Sequence, residues 1–205
     1  MIMQSIDEML DPGEKIIWRG KPELLPFVFN EGTLALMIFG LFFAGISLPI
    51  TIIGIITIIM SLMGLVFMAL GMIIALAPLW QYFSFQKTEY AFTNRRVFIK
   101  SGLWSNNFKV IDYHDIKNFQ ISIGIFDKLF KLETGTISID CGQIAYTKNG
   151  TRLIYSKFQS IKNPYNVFKE LKRVSLDIQT DIEYPNKMRP SENPGYQTEY
   201  QPKEK

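Results

Sequence analysis

Residues 32–86 read GTLALMIFGLFFAGISLPITIIGIITIIMSLMGLVFMALGMIIALAPLWQYFSFQ and contain no Asp, Glu, Lys, Arg or His, whereas both flanks are densely charged. A helix of about 20 apolar residues crosses the roughly 30 Å hydrocarbon core of a bilayer. This stretch is therefore long enough for two crossings and a tight turn. A signal peptide would have a shorter apolar core nearer the N-terminus. The sequence predicts a transmembrane helical hairpin over residues 32–86.

The two predicted spans are TLALMIFGLFFAGISLPITII and IIMSLMGLVFMALGMIIALAPLW. Pro49 removes a backbone hydrogen bond near the far end of the first span, and we expect the turn between residues 50 and 57. Trp80 and Tyr82 lie at the end of the second span and are expected to anchor it at the headgroup level, which amphipathic rings prefer. A single span is disfavoured, because it would leave much of the uncharged stretch outside the bilayer with nothing to bury it.

Small residues recur four apart in both spans, as Gly40 and Ala44 in the first and Gly71 and Ala75 in the second. Such pairs let helix backbones approach closely, and the two pairs lie at comparable depth in an antiparallel hairpin. Either they face one another, or they have no special role, since Gly and Ala are common in membrane helices. The spans contain no ionisable side chain, which argues against a transporter, a proton channel or an intramembrane protease.

Basic side chains flank the hairpin on both sides. Because short cytoplasmic loops retain Lys and Arg, this distribution predicts a two-span protein of the plasma membrane with both termini cytoplasmic. The flanking residues are Lys15, Arg19 and Lys21 before the hairpin and Lys87, Arg95, Arg96 and Lys100 after it.

Positive charge is concentrated after the hairpin. Residues 87–177 hold fifteen basic and eight acidic side chains, whereas residues 1–31 hold three and six and residues 178–205 hold four and five. A basic domain beside a bilayer is attracted to an anionic leaflet, by about 1 kcal/mol for each nearby Lys or Arg. Alternatively, these lysines only solubilise a small fold. We expect membrane lipids rather than nucleic acid among the partners.

Residues 87–177 are predicted to form a small α+β domain. Short runs such as TEYAFT, RVFIKSG and GTISID are rich in β-branched and aromatic residues, and turn residues separate them. Asn149-Gly150 lies between two apolar runs and is typical of a two-residue hairpin. Asn163-Pro164 opens an amphipathic helix that is expected to pack on the sheet. The apolar stripe of this helix consists of Val167, Leu171 and Val174.

Two segments are placed outside this domain. Residues 1–31 are expected to be a cytoplasmic juxtamembrane segment. Residues 178–205 combine scattered Pro and mixed charge with no apolar period, as is typical of a disordered tail.

Several segments together carry a resemblance. The most specific is YAFTNRRV at residues 90–97, and the others are GEKIIWRGKP, GTISI after FDKLFKL, and IKNP at the start of the last helix. The chain resembles the bacterial pleckstrin-homology-like (PH-like) membrane proteins often labelled YdbS-like. It departs from them at KLET, residues 131–134, where the family is usually more glycine-rich. The resemblance implies a two-helix transmembrane hairpin followed by a PH-like small β-barrel or sandwich with a C-terminal helix as its cap, and no established enzyme activity.

Five basic residues are candidate ligands for anionic lipid headgroups. Guanidinium groups next to the membrane exit would suit phosphate, which they can bind with two parallel hydrogen bonds. Alternatively, one of the arginines pairs with Glu89 or Asp112 and fixes the sheet, because ion pairs within a domain are commoner than ligand sites. The five candidates are Arg95, Arg96, Lys100, Lys109 and Lys117.

The sequence offers no catalytic or metal-binding pattern. His114 is the only histidine, and alternation along a strand would put Asp112 and His114 on one face and Asp115 on the other, so no metal site is expected. Cys141 lacks a CxxC partner and is expected to be an inert packed thiol. GxSxG, Walker, Rossmann and HExxH patterns are absent. We therefore expect no enzyme activity and no cofactor.

The leading hypothesis is a non-enzymatic, membrane-anchored PH-like interaction module at the cytoplasmic leaflet, which binds a protein partner or forms a homo-oligomer. The rival hypothesis is recognition of anionic phospholipid headgroups by the basic face of the domain. A third class, a subunit that acts only within an enzyme or transporter complex, is left open by the sequence.

Overall fold

The structure, a computed structural model, describes residues 5–53, 58–103, 105, 107–129, 132–147 and 150–183. Its α-helices are α1 (Leu24–Val28), α2 (Glu31–Ile53), α3 (Ile58–Ala75), α4 (Ala77–Lys87), α5 (Ile125–Leu129) and α6 (Pro164–Glu183). Its strands are β1 (Ile16–Gly20), β2 (Glu89–Thr93), β3 (Arg96–Ser101), β4 (Asn107–Asp112), β5 (Asn118–Ser122), β6 (Thr134–Thr147) and β7 (Gly150–Lys162).

Two helical segments, Glu31–Ile53 and Ile58–Lys87, are long and apolar enough to cross a membrane. Only 17% of the most apolar window of the first and 11% of that of the second is buried. The core helix of a soluble protein would bury a whole apolar stripe, whereas most side chains of these two apolar windows are exposed. α2 continues through Pro49 to Ile53, so residues 50–53 of the predicted turn region (50–57) are helical, and residues 54–57 lie outside the described part of the chain.

The remaining elements form two antiparallel sheets, ordered β1-β2-β3-β4 and β5-β6-β7. Their facing side chains make the main core, which is rich in aromatic residues. The Trp18 ring stacks on Phe92 of the first sheet at 5.6 Å and on Phe158 of the second at 5.8 Å between centroids. Stacked rings add directional attraction to the area they bury, so Trp18 joins the two sheets.

The N-terminal segment is part of the sheet domain, which corrects the boundary predicted at residue 31. β1 pairs antiparallel with β2, with Gly20 opposite Tyr90. Its five residues form an edge strand whose partner follows only after the hairpin. A strand this short gives a weak periodic signal, and its pairing depends on a contact between distant segments.

The C-terminal helix extends past the predicted domain end at residue 177. Val167 and Leu171 are buried in the core, and so is Ile178. The Gln179 side-chain amide donates hydrogen bonds to the backbone carbonyls of Tyr113 at 3.0 Å and Ile116 at 3.3 Å. Ile178 continues the spacing of Val167, Leu171 and Val174, so the predicted end at residue 177 lay at least one turn too early. The rest of the predicted tail, residues 184–205, lies outside the described residues.

Strands β6 and β7 continue as a two-stranded arm beyond the edge of β5, which pairs with β6 only as far as Asp140. We call residues 143–147 and 150–154 the β6–β7 arm. Thr147 pairs with Gly150, and Asn149 of the predicted turn lies outside the described residues. The arm presents apolar side chains to the surroundings: Ile144 and Leu153, which pair, are 46% and 45% exposed, and Tyr146 is 87% exposed.

Candidate interaction site

The base of the hairpin is fixed to the sheets by α1. The Phe27 ring lies 6.0 Å from the Phe85 ring of α4, so the two ends of the hairpin meet at this point. Asn30 then starts α2: its side-chain amide donates to the Phe27 carbonyl at 2.9 Å, and its Oδ1 accepts from the Thr33 amide at 3.0 Å. An Asn in this position satisfies a backbone N–H that the first helical turn leaves unpaired.

Two cavities of about 320 Å³ each flank Phe27. The first is lined by Glu31, Asp127 and Lys157 among others, so two acidic side chains and one basic side chain border it. The second lies between α4, the first sheet and β7, and we call it the lysine cavity. Its polar lining includes Lys109, Lys157, Gln81, Ser84, Ser156 and Gln159.

Regular elements position the lining of the lysine cavity. Gln81, Ser84 and Thr88 follow one another at i, i+3 and i+7, which places them on one side of α4 and its C-terminal end. The backbone N–H of Gln159 on β7 donates to the Tyr90 hydroxyl at 3.1 Å, which links the second sheet to the first across the cavity. The cavity therefore has walls from both sheets and from the hairpin.

The two arginines of the predicted lipid patch are occupied by acids of the N-terminal segment. Arg96 donates to both carboxylate oxygens of Glu14, from Nε at 3.1 Å and from Nη2 at 2.8 Å. Asp11 lies 3.1 Å from Arg96 and 3.7 Å from Arg95. The structural alternative thus describes Arg96 better than the lipid alternative, but its ion-pair partners are Glu14 and Asp11 rather than Glu89 or Asp112. Asp112 lies opposite Arg96 on the neighbouring strand. Glu89 instead bonds Arg19 at 2.6 Å.

The Glu14 carboxylate is buried and fully committed to hydrogen bonds. Burial raises its pKa, but hydrogen bonds from Arg96, from the Thr93 hydroxyl at 2.6 Å and from the Asp11 backbone lower it more, and the pKa lies below its usual value. The same pairing raises the pKa of the Arg96 guanidinium. Both groups therefore stay ionised when folded at neutral pH.

Arg95 and Arg96 also lie far from the predicted membrane exit at the end of α4. β2 starts at Glu89, directly after α4, and the arginines follow its other end. A strand advances about 3.3 Å per residue, so they lie roughly 13 Å or more beyond the end of α4. Proximity in sequence to the hairpin was misleading here, because a strand leads directly away from it.

The three lysines of the predicted patch are divided between different surfaces. Lys100 is 7% exposed, lies opposite Phe108 and has its Nζ 5.6 Å from that ring. Lys109 lies opposite Ile99, so it points to the other face of the sheet, where its Nζ donates to Gln143 at 3.3 Å. A Cβ at Gly142 would touch the side chain of Lys117. The structure therefore does not bring the five basic residues together as one face.

The small residues of the hairpin, in contrast, are brought together. A Cβ built on Gly40 would lie 2.7 Å from the Gly71 carbonyl oxygen and would also clash with the Ala75 backbone. One built on Gly71 would lie 2.7 Å from the Ala44 backbone nitrogen. Because Gly64 approaches Thr51 in the same way, the helices run antiparallel with backbones in close contact.

A model of a known family, described as Bacterial PH domain, matches residues 33–174. The chain belongs to the bacterial PH domain family. The match begins in α2 and ends in α6, so the family unit includes both helices of the hairpin. The resemblance stated from the sequence is confirmed at the family level. Searches among curated proteins and among solved structures gave no match.

The predicted interface anchors of this bacterial PH domain protein lie on α4. Trp80 and Tyr82 are 41% and 40% exposed. Tyr82 lies on the opposite side of the helix from Ser84, whereas Trp80 lies one turn before Ser84 and borders the polar side. α4 thus combines aromatic rings that suit the headgroup level with a polar side that faces the domain.

The bacterial PH domain also groups Asp112, His114 and Asp115, whose ligand atoms lie within 4.8 Å of one another. They converge because Tyr113–Asp115 forms a 3-10 turn, so the strand alternation assumed from sequence does not apply. All three are exposed, and exposed acids in such a group are common without a metal. Cys141 is half-buried, and burial raises the pKa of its thiol, which disfavours the reactive thiolate.

Sequence analysis found Lys109 but missed Lys157 and Ser156 of the lysine cavity. These two lie in a strand that alternates polar and apolar residues and looks like an ordinary solvated edge. The signal that was available is the polar series Gln81, Ser84 and Thr88 at helical spacing, at the end of a predicted membrane span. Such a series indicates that this side of the helix faces something other than lipid.

Proposed function

We propose that this bacterial PH domain protein is a non-enzymatic, membrane-anchored interaction module, in which α2 and α3 cross the plasma membrane and hold the two sheets against its cytoplasmic surface. Exposure of apolar side chains around both helices carries this proposal. Phe42, Ile53 and Ile58 are 65%, 73% and 84% exposed. Apolar patches of this extent are not tolerated in water but are favourable in hydrocarbon.

The β6–β7 arm supports binding of a protein partner or a second copy of the chain. Its two strands have no third strand beside them in the described part of the protein, and its apolar residues are exposed. Tyr side chains such as Tyr146 are enriched in the cores of protein interfaces, because they bury a large area and keep a polar tip. Lipid binding by the five-residue basic face receives no support, since those residues are separated.

The test places a photo-crosslinking amino acid at Tyr146 in the full-length protein in cells, with Tyr165 as the matched control. Tyr165 is also an exposed tyrosine, at 57%, but lies at the start of α6. We expect the protein to stay with the membrane fraction in alkaline carbonate. We also expect one dominant crosslinked product from position 146 and none from position 165.

Each part of the proposal can fail separately in this experiment. Release of the protein by alkaline carbonate would contradict membrane anchoring. Retention without a product specific to position 146 would contradict the arm as a binding surface. The mass of a product distinguishes a second copy of the chain from another protein.

A further inference from the structure

We infer that the sheet domain inserts apolar side chains of two short helices, α1 and α5, into the lipid interface beside the hairpin. The side chains are Leu25 of α1 and Phe29 at its end, which are 55% and 38% exposed, and Ile125 at the start of α5, which is 66% exposed. Single exposed apolar residues are common on protein surfaces, but these three lie at one edge of the domain, next to a predicted span. The inference rests on the proposed crossing of the membrane by α2 and α3.

Glu31, the first residue of α2, fixes the level of α5. Residues 33–53 of this helix advance about 30 Å, which matches the thickness of the hydrocarbon core. Because a carboxylate is costly in hydrocarbon, Glu31 lies at the headgroup level just before this stretch. Its Oε1 accepts a hydrogen bond from the backbone N–H of Ile125 at 3.3 Å. α5 therefore begins at the same level, beside the first span.

α1 brings a second apolar stripe to this level. Leu25 and Phe29 are four residues apart, so they share one side of the short helix, and the stripe ends two residues before α2 begins. Phe27 between them is buried against the domain. The backbone N–H of Glu23 donates to the Ser160 carbonyl of β7 at 2.7 Å, which attaches the start of α1 to the second sheet. The exposed stripe therefore belongs to the domain, although it borders the span.

The buried carboxylate of Asp127 holds α5 in place. Its Oδ2 accepts from the Gly124 N–H at 2.9 Å, and its Oδ1 accepts from the Thr134 hydroxyl of β6. These bonds fix the first turn of α5 against the second sheet, while Ile125 stays exposed. The exposed charge of α5 is that of Lys128, whose long stem can reach the headgroups while Ile125 enters the acyl boundary. This combination of apolar and basic side chains favours a lipid surface as the partner.

The test measures lipid contact at single labelled positions of the full-length protein in phosphatidylcholine vesicles. In a Cys141→Ser background, a fluorophore is attached to Ile125→Cys, Leu25→Cys, Ile182→Cys or Phe42→Cys. The vesicles contain lipid with a spin-label quencher on the fifth or on the twelfth carbon of the acyl chain.

The matched control is Ile182, an exposed isoleucine at the other end of the domain. It is 47% exposed and follows Gln179, which bonds the Tyr113 carbonyl beyond the end of β4. Phe42, in the middle of α2, reports the membrane crossing itself.

We expect the shallow quencher to remove about half of the fluorescence at positions 125 and 25, because interfacial side chains lie about 5–10 Å into the headgroup and acyl boundary. The deep quencher should act less at these two positions and more at position 42. Position 182 should keep its fluorescence with both lipids.

The inference and the proposed anchoring can fail separately. Quenching at position 42 with positions 125 and 25 as bright as position 182 would overturn the inference and leave the crossing intact. It would also show that water, another protein or a second copy covers this edge. Shallow quenching at positions 125 and 25 without quenching at position 42 would support the interfacial contact and contradict the crossing. Absence of quenching at all four positions would overturn both.

Discussion

At the scale of single residues, charged side chains of this protein form ion pairs that stabilise the fold. Arg96 and Glu14 are more than eighty residues apart in sequence and form a two-point ion pair at the end of the first sheet. The Tyr113 hydroxyl donates to the Thr93 carbonyl at 2.8 Å in the same cluster. This cluster attaches the N-terminal segment to the strands that follow the hairpin.

The lowered pKa of Glu14 makes stability depend on pH. A carboxyl group whose pKa is lower in the folded than in the unfolded state stabilises the fold above the unfolded value, here near 4.5, and this contribution is lost as the pH falls through the folded value. Glu14→Gln should therefore lower the free energy of unfolding by about 1–3 kcal/mol at pH 7. It should also flatten the loss of stability as the pH falls below about 4.5.

Thermal unfolding of the full-length protein in detergent across this pH range measures both effects. Glu8→Gln is the control, since Glu8 is exposed in the same segment and should leave stability at pH 7 nearly unchanged. A Glu14→Gln protein that loses stability on acidification as steeply as the unmodified protein would show that another carboxylate is responsible.

At the scale of elements, the hairpin is held by contact between backbones rather than by large side chains. Gly71 has the Ala44 nitrogen and the Gly40 carbonyl within 3 Å of the place a Cβ would occupy, whereas Gly45 has nothing within 4 Å. Gly71→Leu should separate the helices and destabilise the protein by about 1–3 kcal/mol. Gly45→Leu adds the same side chain on the open side and should be neutral or slightly stabilising. Equal thermal midpoints for the two variants in detergent would contradict this packing.

The elements also show what could be predicted from the sequence. An uncharged span and a strand with alternating side chains are both visible in the order of neighbouring residues. The sequence therefore predicted the two long helices and the strand-forming runs in residues 87–162. The pairing of β1 with β2, the use of Gln179 by α6 and the assembly of the lysine cavity depend on contacts between distant segments. The five basic residues predicted to form one face also depend on contacts between distant segments. Arg96, for example, pairs with acids that precede the hairpin.

At the scale of the whole molecule, the sheet domain is discontinuous. β1 comes before the hairpin and β2 after it, and they pair in one sheet. Both flanks must therefore lie on the same side of any membrane that the hairpin crosses. This requirement agrees with the positive flanks, which favour the cytoplasmic side.

Cysteine labelling in intact cells tests this topology. In a Cys141→Ser background, Ile58→Cys at the hairpin end of α3 should react with a membrane-impermeant maleimide from outside. Ser105→Cys, between β3 and β4, should react only after the cells are permeabilised. Labelling of Ser105→Cys in intact cells would place the domain outside and reverse the orientation.

The position of β1 has a consequence for biosynthesis. β1 leaves the ribosome first, yet its partner strand β2 is synthesised only after the whole apolar stretch. During that interval the backbone N–H and C=O groups of β1 lack the hydrogen-bond partners that β2 later provides. If only one of the two helices were inserted, the two strands would be separated by the bilayer, and the first sheet could never close. If the hairpin crosses the membrane as proposed, the first sheet can form only in a chain that has made both crossings, and a chain with one crossing would leave β1 and β2 unpaired.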